Sequence, residues 1–161
     1  METLRRGEIS PQRRTVFRGH FRHTIDPKGR LSIPAKFREV LVDGHGDKLV
    51  IVPNGDHLEV HPVKLWHALE ERVNALPRFD PDRRMIQYTY LSLGLDVTLD
   101  PQGRIQISSD YRERAGLAKD VVILGMTERF EVWDTERWSH FQRDHDGPLD
   151  DLFERLAGKG V

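Results

Sequence analysis

An internal repeat constrains the fold of this chain more than any other feature of its sequence. Residues 25–33 read IDPKGRLSI and residues 99–107 read LDPQGRIQI, an offset of 74 residues. The similarity continues downstream, where LEV at 58–60 is matched by FEV at 130–132, now offset by 72 residues. A loop two residues shorter in the second copy explains the change, since surface loops absorb length differences more readily than paired strands. Two copies of one structural unit therefore fill most of the chain.

The DPxGR segment in each copy predicts a tight β-hairpin turn. Its aspartate can accept hydrogen bonds from the turn backbone, its proline presets φ, and its glycine supplies the positive φ that closes the hairpin. The residues with this structural role are Asp26 and Pro27 in the first turn and Asp100 and Pro101 in the second. After each turn, apolar and polar residues alternate, so one face of the following strand can be buried.

Each copy reads as a strand, the turn, a second strand, a short helix, two further strands and a longer helix. The first longer helix is expected to begin near Pro62 and to place Trp66, Leu69, Val73 and Leu76 on one apolar stripe. The pattern thus predicts an α+β protein that is mostly β. We divide it into an N-terminal extension at 1–15, expected to be disordered, a first repeat at 16–78, a connecting helix at 79–93, a second repeat at 94–140 and a C-terminal helical tail at 141–161.

Charge is distributed unevenly, although the net charge is only −1. Residues 1–30 contain eight basic and three acidic side chains, whereas residues 134–161 contain four basic and seven acidic ones. The chain has no cysteine, which excludes disulfides and thiolate chemistry and fits a reducing cytoplasm. No apolar run has the length of a signal sequence or a membrane span. We therefore expect a cytoplasmic protein with a locally basic end.

The longest motif resembles the MraZ family of transcriptional regulators. The resemblance is carried by FRG at 17–19, by TIDPKGRLSIPAKFR at 24–38 and by the second turn at 100–104. Two D-x-x-x-R turns at this separation are far more specific than a lone turn motif. The second turn departs from the pattern because Gln102 replaces lysine, which suggests weaker binding there. The first fourteen residues look like an extension beyond the usual start.

The resemblance implies an AbrB-like swapped-hairpin barrel with flanking helices, in which the tandem repeats form an internal pseudo-dimer. It also implies a homo-oligomer, a ring of several chains. The expected function is a nucleoid-associated regulator that binds double-stranded DNA at short G-rich direct repeats. Those repeats would lie ahead of the division and cell wall gene cluster, including the regulator's own gene, so autorepression is the expected output.

The turn tips are the candidate DNA-binding residues. Arginine can donate two hydrogen bonds to guanine, so Arg30 and Arg104 are candidates for base reading. Lys28 is assigned to phosphate, and Thr24 and Gln102 are weaker candidates for neutral hydrogen bonds. The glycines between them, Gly29 and Gly103, would permit close approach of the backbone to phosphate. The arginines between Arg5 and Arg18 could add a phosphate-binding arm, although charged tails are usually just solvated.

Several alternatives stay open on the sequence alone. Arg30 and Arg104 could simply bridge to the aspartates of their own turns, an ion pair of little energetic weight. The chain could be a ring-forming scaffold whose basic tips bind a protein partner. An AbrB-type antitoxin is a closer alternative, but two full repeats and the lack of an obvious disordered tail argue against it.

Catalysis and cofactor binding find little support in the sequence. There is no phosphate-binding loop, dinucleotide-binding glycine pattern or nucleophile elbow, and no small-molecule substrate is evident. The histidine pairs have no recognised metal-ligand spacing, and we expect solvated side chains. These pairs are His20 with His23, His57 with His61, and His140 with His145. The sequence therefore predicts neither an enzyme nor a metal site.

Overall fold

The computed structural model describes residues 16–161. The predicted extension at 1–15, with its arginines, lies outside the described residues. The strands are β1 (His20–Thr24), β2 (Arg30–Ser32), β3 (Lys48–Asn54), β4 (His57–Pro62), β5 (Leu95–Thr98), β6 (Arg104–Gln106), β7 (Asp120–Gly125) and β8 (Phe130–Asp134). The helices are α1 (Ala35–Gly44), α2 (Val63–Asn74), α3 (Pro81–Thr89), α4 (Ser109–Arg114), α5 (Thr135–Asp144) and α6 (Leu149–Ala157), with a 3-10 turn at Leu91–Leu93.

The two repeats exchange their first strands. Six strands form one antiparallel sheet in the order β1-β7-β8-β4-β3-β5, so β1 of the first repeat pairs with β7 of the second, and β5 pairs with β3. The strands that follow the two turns, β2 and β6, pair with each other in a second, two-stranded sheet. Each turn therefore connects a strand in one sheet to a strand in the other. The predicted α+β class and the swapped pairing of the repeats are confirmed.

The main core lies between the two sheets. Leu31 and Ile105 from the two-stranded sheet share one buried cluster with residues of the six-stranded sheet. Phe17 lies within this cluster with its ring edge-on to Phe37 and Phe130, at centroid distances of 5.3 and 5.2 Å. Both repeats therefore contribute side chains to the main core.

The longer helices cover the opposite face of the six-stranded sheet. Trp66 of α2 packs with Val50 and Val52 of β3, as expected for the apolar stripe of that helix. The stripe ends earlier than predicted, because α2 stops at Asn74 and leaves Leu76 beyond the helix and 43% exposed. The central strands β4 and β8 are thus buried on both faces, between the core and the helices.

Aspartate side chains begin the connecting helix and the longer helix of the second repeat. Asp80 accepts hydrogen bonds from two backbone N–H groups in the first turn of α3, and Asp134 does the same for α5. Such capping groups satisfy donors that a helix cannot pair internally. No helix in residues 16–161 combines the length and the apolarity that a membrane span needs.

Candidate nucleic-acid interface

The strands β2 and β6 form an antiparallel ribbon whose outer face is polar. Leu31 pairs with Ile105 at its centre, and both side chains point into the core. Since side chains alternate along a strand, the flanking residues lie on the opposite, outer face. These residues are Arg30 with its partner Gln106, and Ser32 with its partner Arg104. The fold thus brings the two arginines predicted to read bases, 74 residues apart in sequence, onto one face of one ribbon.

The first turn is held by its aspartate. Asp26 Oδ1 accepts hydrogen bonds from the backbone N–H groups of Lys28 and Arg30, both at 2.9 Å. Asp26 Oδ2 accepts a third bond from Arg30 Nε at 2.6 Å. The backbone N–H and side chain of Arg30 and the N–H of Lys28 lower the pKa of Asp26 and outweigh the opposing effect of desolvation. The carboxylate therefore stays ionised and fixes both the turn and the arginine.

The second turn repeats this geometry. Asp100 Oδ1 accepts bonds from the N–H groups of Gln102 and Arg104 at 2.9 Å each, and Oδ2 accepts one from Arg104 Nε at 3.0 Å. Each turn thus contains the ion pair between its own arginine and aspartate that the sequence left open as an alternative to DNA binding. It occupies only Nε, and within residues 16–161 the terminal Nη groups of Arg30 and Arg104 have no hydrogen-bond partner. The ion pair orients each guanidinium without using its outer donors.

The turn glycines pack against protein backbone. Gly29 has a φ of +83° and is buried, and a Cβ there would lie 2.4 Å from the carbonyl oxygen of Ile107. The N–H of Ile107 donates to the Gly29 carbonyl at 2.8 Å, and Ile33 donates to Gly103 at 2.9 Å in the same way. The absence of a side chain at each turn glycine therefore lets the turn pack closely against the backbone of the other repeat. Contact of Gly29 or Gly103 with phosphate stays a prediction.

Two further arginines adjoin the tips. Arg38 of α1 lies over the second turn, where a Cβ on Gly103 would come within 2.5 Å of its Cδ. Arg112 of α4 lies near Gly29, where its Nη2 would be 3.3 Å from a Cβ. They occupy equivalent positions in the two repeats, in FRE at 37–39 and YRE at 111–113. The sequence alone does not place these segments at the tips, because the swapped pairing of the repeats brings each segment to the turn of the other copy. With Lys28, Arg30 and Arg104, they give five cations against the two turn carboxylates.

An open cleft of about 500 Å³ lies beside the ribbon. The exposed Thr24, at the end of β1, lines it together with Arg22 and Ser32. His23 lies in the same cleft, and burial, reinforced by the nearby Arg38 guanidinium, lowers its pKa. Thr24 thus lies next to the ribbon, as its predicted role requires, and His23 adds no positive charge there near neutral pH.

The expectation that His57 and His61 are solvated is wrong. Both lie on the face of β4 that the helices cover, and His61 is only 8% exposed. His61 Nε2 is 2.9 Å from Glu59 Oε1, and the His57 ring stacks on Trp133 with 4.6 Å between centroids. β4 is covered on both of its faces, by the main core on one and by helices on the other, so both histidines are withdrawn from solvent.

Comparisons with known proteins match this chain over both repeats. The family model described as "MraZ protein, putative antitoxin-like" matches residues 16–89 and 95–159. A relative from Natranaerobius thermophilus, named transcriptional regulator MraZ, is 38% identical over 143 residues that cover 88% of this chain and 97% of the relative. A relative of the same name from Desulfitobacterium hafniense is 37% identical over 147 residues, covering 91% of this chain and all of the relative. The similarity therefore extends over both repeats.

Proposed function

The chain belongs to the MraZ family, and from this premise we propose that it is a DNA-binding transcriptional regulator that contacts DNA with the outer face of the β2–β6 ribbon. Both relatives described above are named transcriptional regulators, which agrees with the absence of an enzyme signature in the sequence. The observation that carries the proposal is the pair of equivalent arginines, Arg30 and Arg104. Each is held by its own aspartate, and both are displayed on one ribbon.

A two-stranded ribbon with arginines on its outer face suits a DNA groove. The major groove of B-form DNA admits a two-stranded β-ribbon, and an arginine can donate two hydrogen bonds to O6 and N7 of one guanine. The terminal Nη groups of Arg30 and Arg104 are the donors that such a contact needs. We therefore propose G-containing sites, with Lys28, Arg38 and Arg112 supplying phosphate contacts around the reading pair.

A single ribbon offers few cations, so useful affinity needs several ribbons acting together. Linking binding modules makes later contacts effectively intramolecular. A head-to-tail ring of several chains would present ribbons in the same sense, which suits direct repeats better than the palindromes read by two-fold dimers. We propose such a ring, bound to short direct repeats ahead of the regulator's own gene cluster and repressing it. Nucleoid association would follow from this binding.

The test is a fluorescence-anisotropy titration of a labelled duplex carrying G-rich direct repeats and of a scrambled duplex. Arg30→Ala and Arg104→Ala are compared with Arg72→Ala, a control on α2, which packs against the face of the sheet opposite the ribbon. A lost guanine contact costs about 1–3 kcal/mol, so each ribbon variant should bind roughly 5- to 150-fold more weakly while the control is unchanged. Equal binding to both duplexes, or equal affinity of ribbon variants and control, would refute the proposal.

A further inference from the structure

Two buried glutamates face each other where the two repeats meet. Glu59 of β4 and Glu131 of β8 are direct partners in the antiparallel pairing, and they are only 3% and 5% exposed. They are also equivalent residues of the two repeats, so they lie at the internal two-fold relationship of the molecule. Two carboxylates confined together repel each other and lose hydration, and both effects disfavour ionisation unless positive charge is close.

The positive charge of the arginine beside this pair does not balance the two negative charges. Arg129 Nη2 lies 2.7 Å from Glu131 Oε2, and its Nε lies 3.7 Å from Glu59 Oε2. Within residues 16–161, no other lysine or arginine forms an ion pair with either glutamate. One arginine therefore faces two buried carboxylates.

His57 lies between the two carboxylates, at the position that Arg129 occupies in the second repeat. Its Nε2 is 3.6 Å from Glu59 Oε2 and 3.4 Å from Glu131 Oε1. This nitrogen is buried and has no hydrogen-bond partner within the described part of the chain. These separations are long for a hydrogen bond, but donors bound at about 2.1 Å to a tetrahedral metal ion lie about 3.4 Å apart.

The donor atoms are oriented from outside, as metal ligands generally are. Trp133 Nε1 donates to Glu131 Oε1 at 3.0 Å, and Asn54 Nδ2 donates to Glu59 Oε2 at 2.9 Å. The stacking of the His57 ring on Trp133, with 7° between the planes, fixes the direction of Nε2. Arg129 binds the other oxygen of Glu131, so its hydrogen bonds leave Oε1 available to an ion.

We propose that His57 Nε2, Glu59 Oε2 and Glu131 Oε1 bind one divalent transition-metal ion of the zinc class where the two repeats meet. One possible ligand atom from each of the three residues lies within 4.8 Å of the other two. One imidazole and two carboxylates suit zinc, with water as a fourth ligand, and the nitrogen ligand disfavours calcium or magnesium. The ion supplies the positive charge that the buried pair lacks, and it joins β4 of one repeat to β8 of the other.

The test measures binding of zinc chloride to chelator-treated, full-length protein by isothermal titration calorimetry, with thermal unfolding as a second measurement. The matched control is His67→Gln, which removes a histidine 4.0 Å from Glu70 on the exposed side of α2. Wild type and His67→Gln should bind one equivalent and unfold at a higher temperature with zinc, since a ligand specific for the folded state stabilises it. His57→Gln should bind at least tenfold more weakly and lose the thermal shift.

A third variant separates metal binding from folding defects. Trp133→Phe keeps a ring against His57 but removes the Nε1 donor to Glu131, and loss of such an outer partner typically weakens metal affinity about 10- to 100-fold. Folding of each variant is verified by circular dichroism and, independently of zinc, by DNA binding. The proposal is overturned if wild type shows no one-equivalent binding, or if folded His57→Gln binds zinc as tightly as His67→Gln.

Discussion

Leu31 and Ile105, from different repeats, are direct partners at the centre of the β2–β6 ribbon, and their side chains are 0% and 1% exposed. This pairing anchors the polar outer face of the ribbon to the common core. The arginines that we propose to read DNA therefore depend on two residues that cannot touch DNA themselves. Stability of the core and geometry of the interface should change together.

Leu31→Ala should destabilise the whole protein and weaken DNA binding. A buried leucine truncated to alanine costs about 2–5 kcal/mol, through lost burial and the cavity left behind. Urea unfolding followed by circular dichroism measures this cost. Val42→Ala is the control, since Val42 is 80% exposed on α1, and a change there should stay within about 0.5 kcal/mol. Similar midpoints for the two variants would contradict the assignment of Leu31 to the core.

Gly29→Ala should be far more destabilising than Gly46→Ala. Both glycines have a φ of +83°, so both substitutions incur the same strain of about 1–2 kcal/mol. A methyl group on Gly29 would also lie 2.4 Å from the Ile107 carbonyl oxygen, whereas a methyl group on Gly46 would meet nothing within 4 Å. The difference in unfolding free energy between the variants therefore isolates the contact between the repeats. Equal losses would show that Gly29 is required for its backbone conformation alone.

The sequence was sufficient for the order of elements and for the turn chemistry. The DPxGR turns specify local hydrogen bonds, and those that Asp26 and Asp100 accept in their own turns come from donors at most four positions away. Local interactions of this kind can be read without knowing the fold. The helix starts after Asp80 and Asp134 depend on equally local hydrogen bonds, from donors two and three positions away.

What the sequence could not show depends on pairing between the repeats. Arg38 reaches the second turn and not its own, because each hairpin is exchanged. Alternation along LEV and FEV indicates strands but does not reveal that β4 and β8 are neighbours, and it is this pairing that sets Glu59 against Glu131. The spacing of His57 in the sequence matches no recognised ligand pattern, because the second carboxylate near it comes from the other repeat.

The Asp26 carboxylate should titrate below its ordinary pKa of 3.8 in the folded protein. The N–H of Arg30 is the largest cause of the shift, with the Arg30 guanidinium and the N–H of Lys28 acting in the same direction. A group whose folded pKa is depressed contributes stability above its unfolded pKa, and that stability is lost as pH falls through the folded value. Carboxyl ¹³C NMR of Asp26 should give a midpoint below 3.8, and Arg30→Ala should move it upward. A midpoint at or above 3.8 in wild type would contradict the turn geometry.

The two tips differ by one charge, and this difference can be reversed. Lys28 and Gln102 are exposed at equivalent positions, and each backbone N–H donates to the turn aspartate, so their side chains are not needed to hold the turn. Lys28→Gln should weaken DNA binding about equally for all sequences and reduce the slope of log affinity against log salt by about one. Gln102→Lys should strengthen binding and steepen the slope by a similar amount. Anisotropy titrations at several salt concentrations measure both, and the double substitution should restore the wild-type slope. A slope that responds at Lys28 but not at Gln102 would show that only the first tip contacts phosphate.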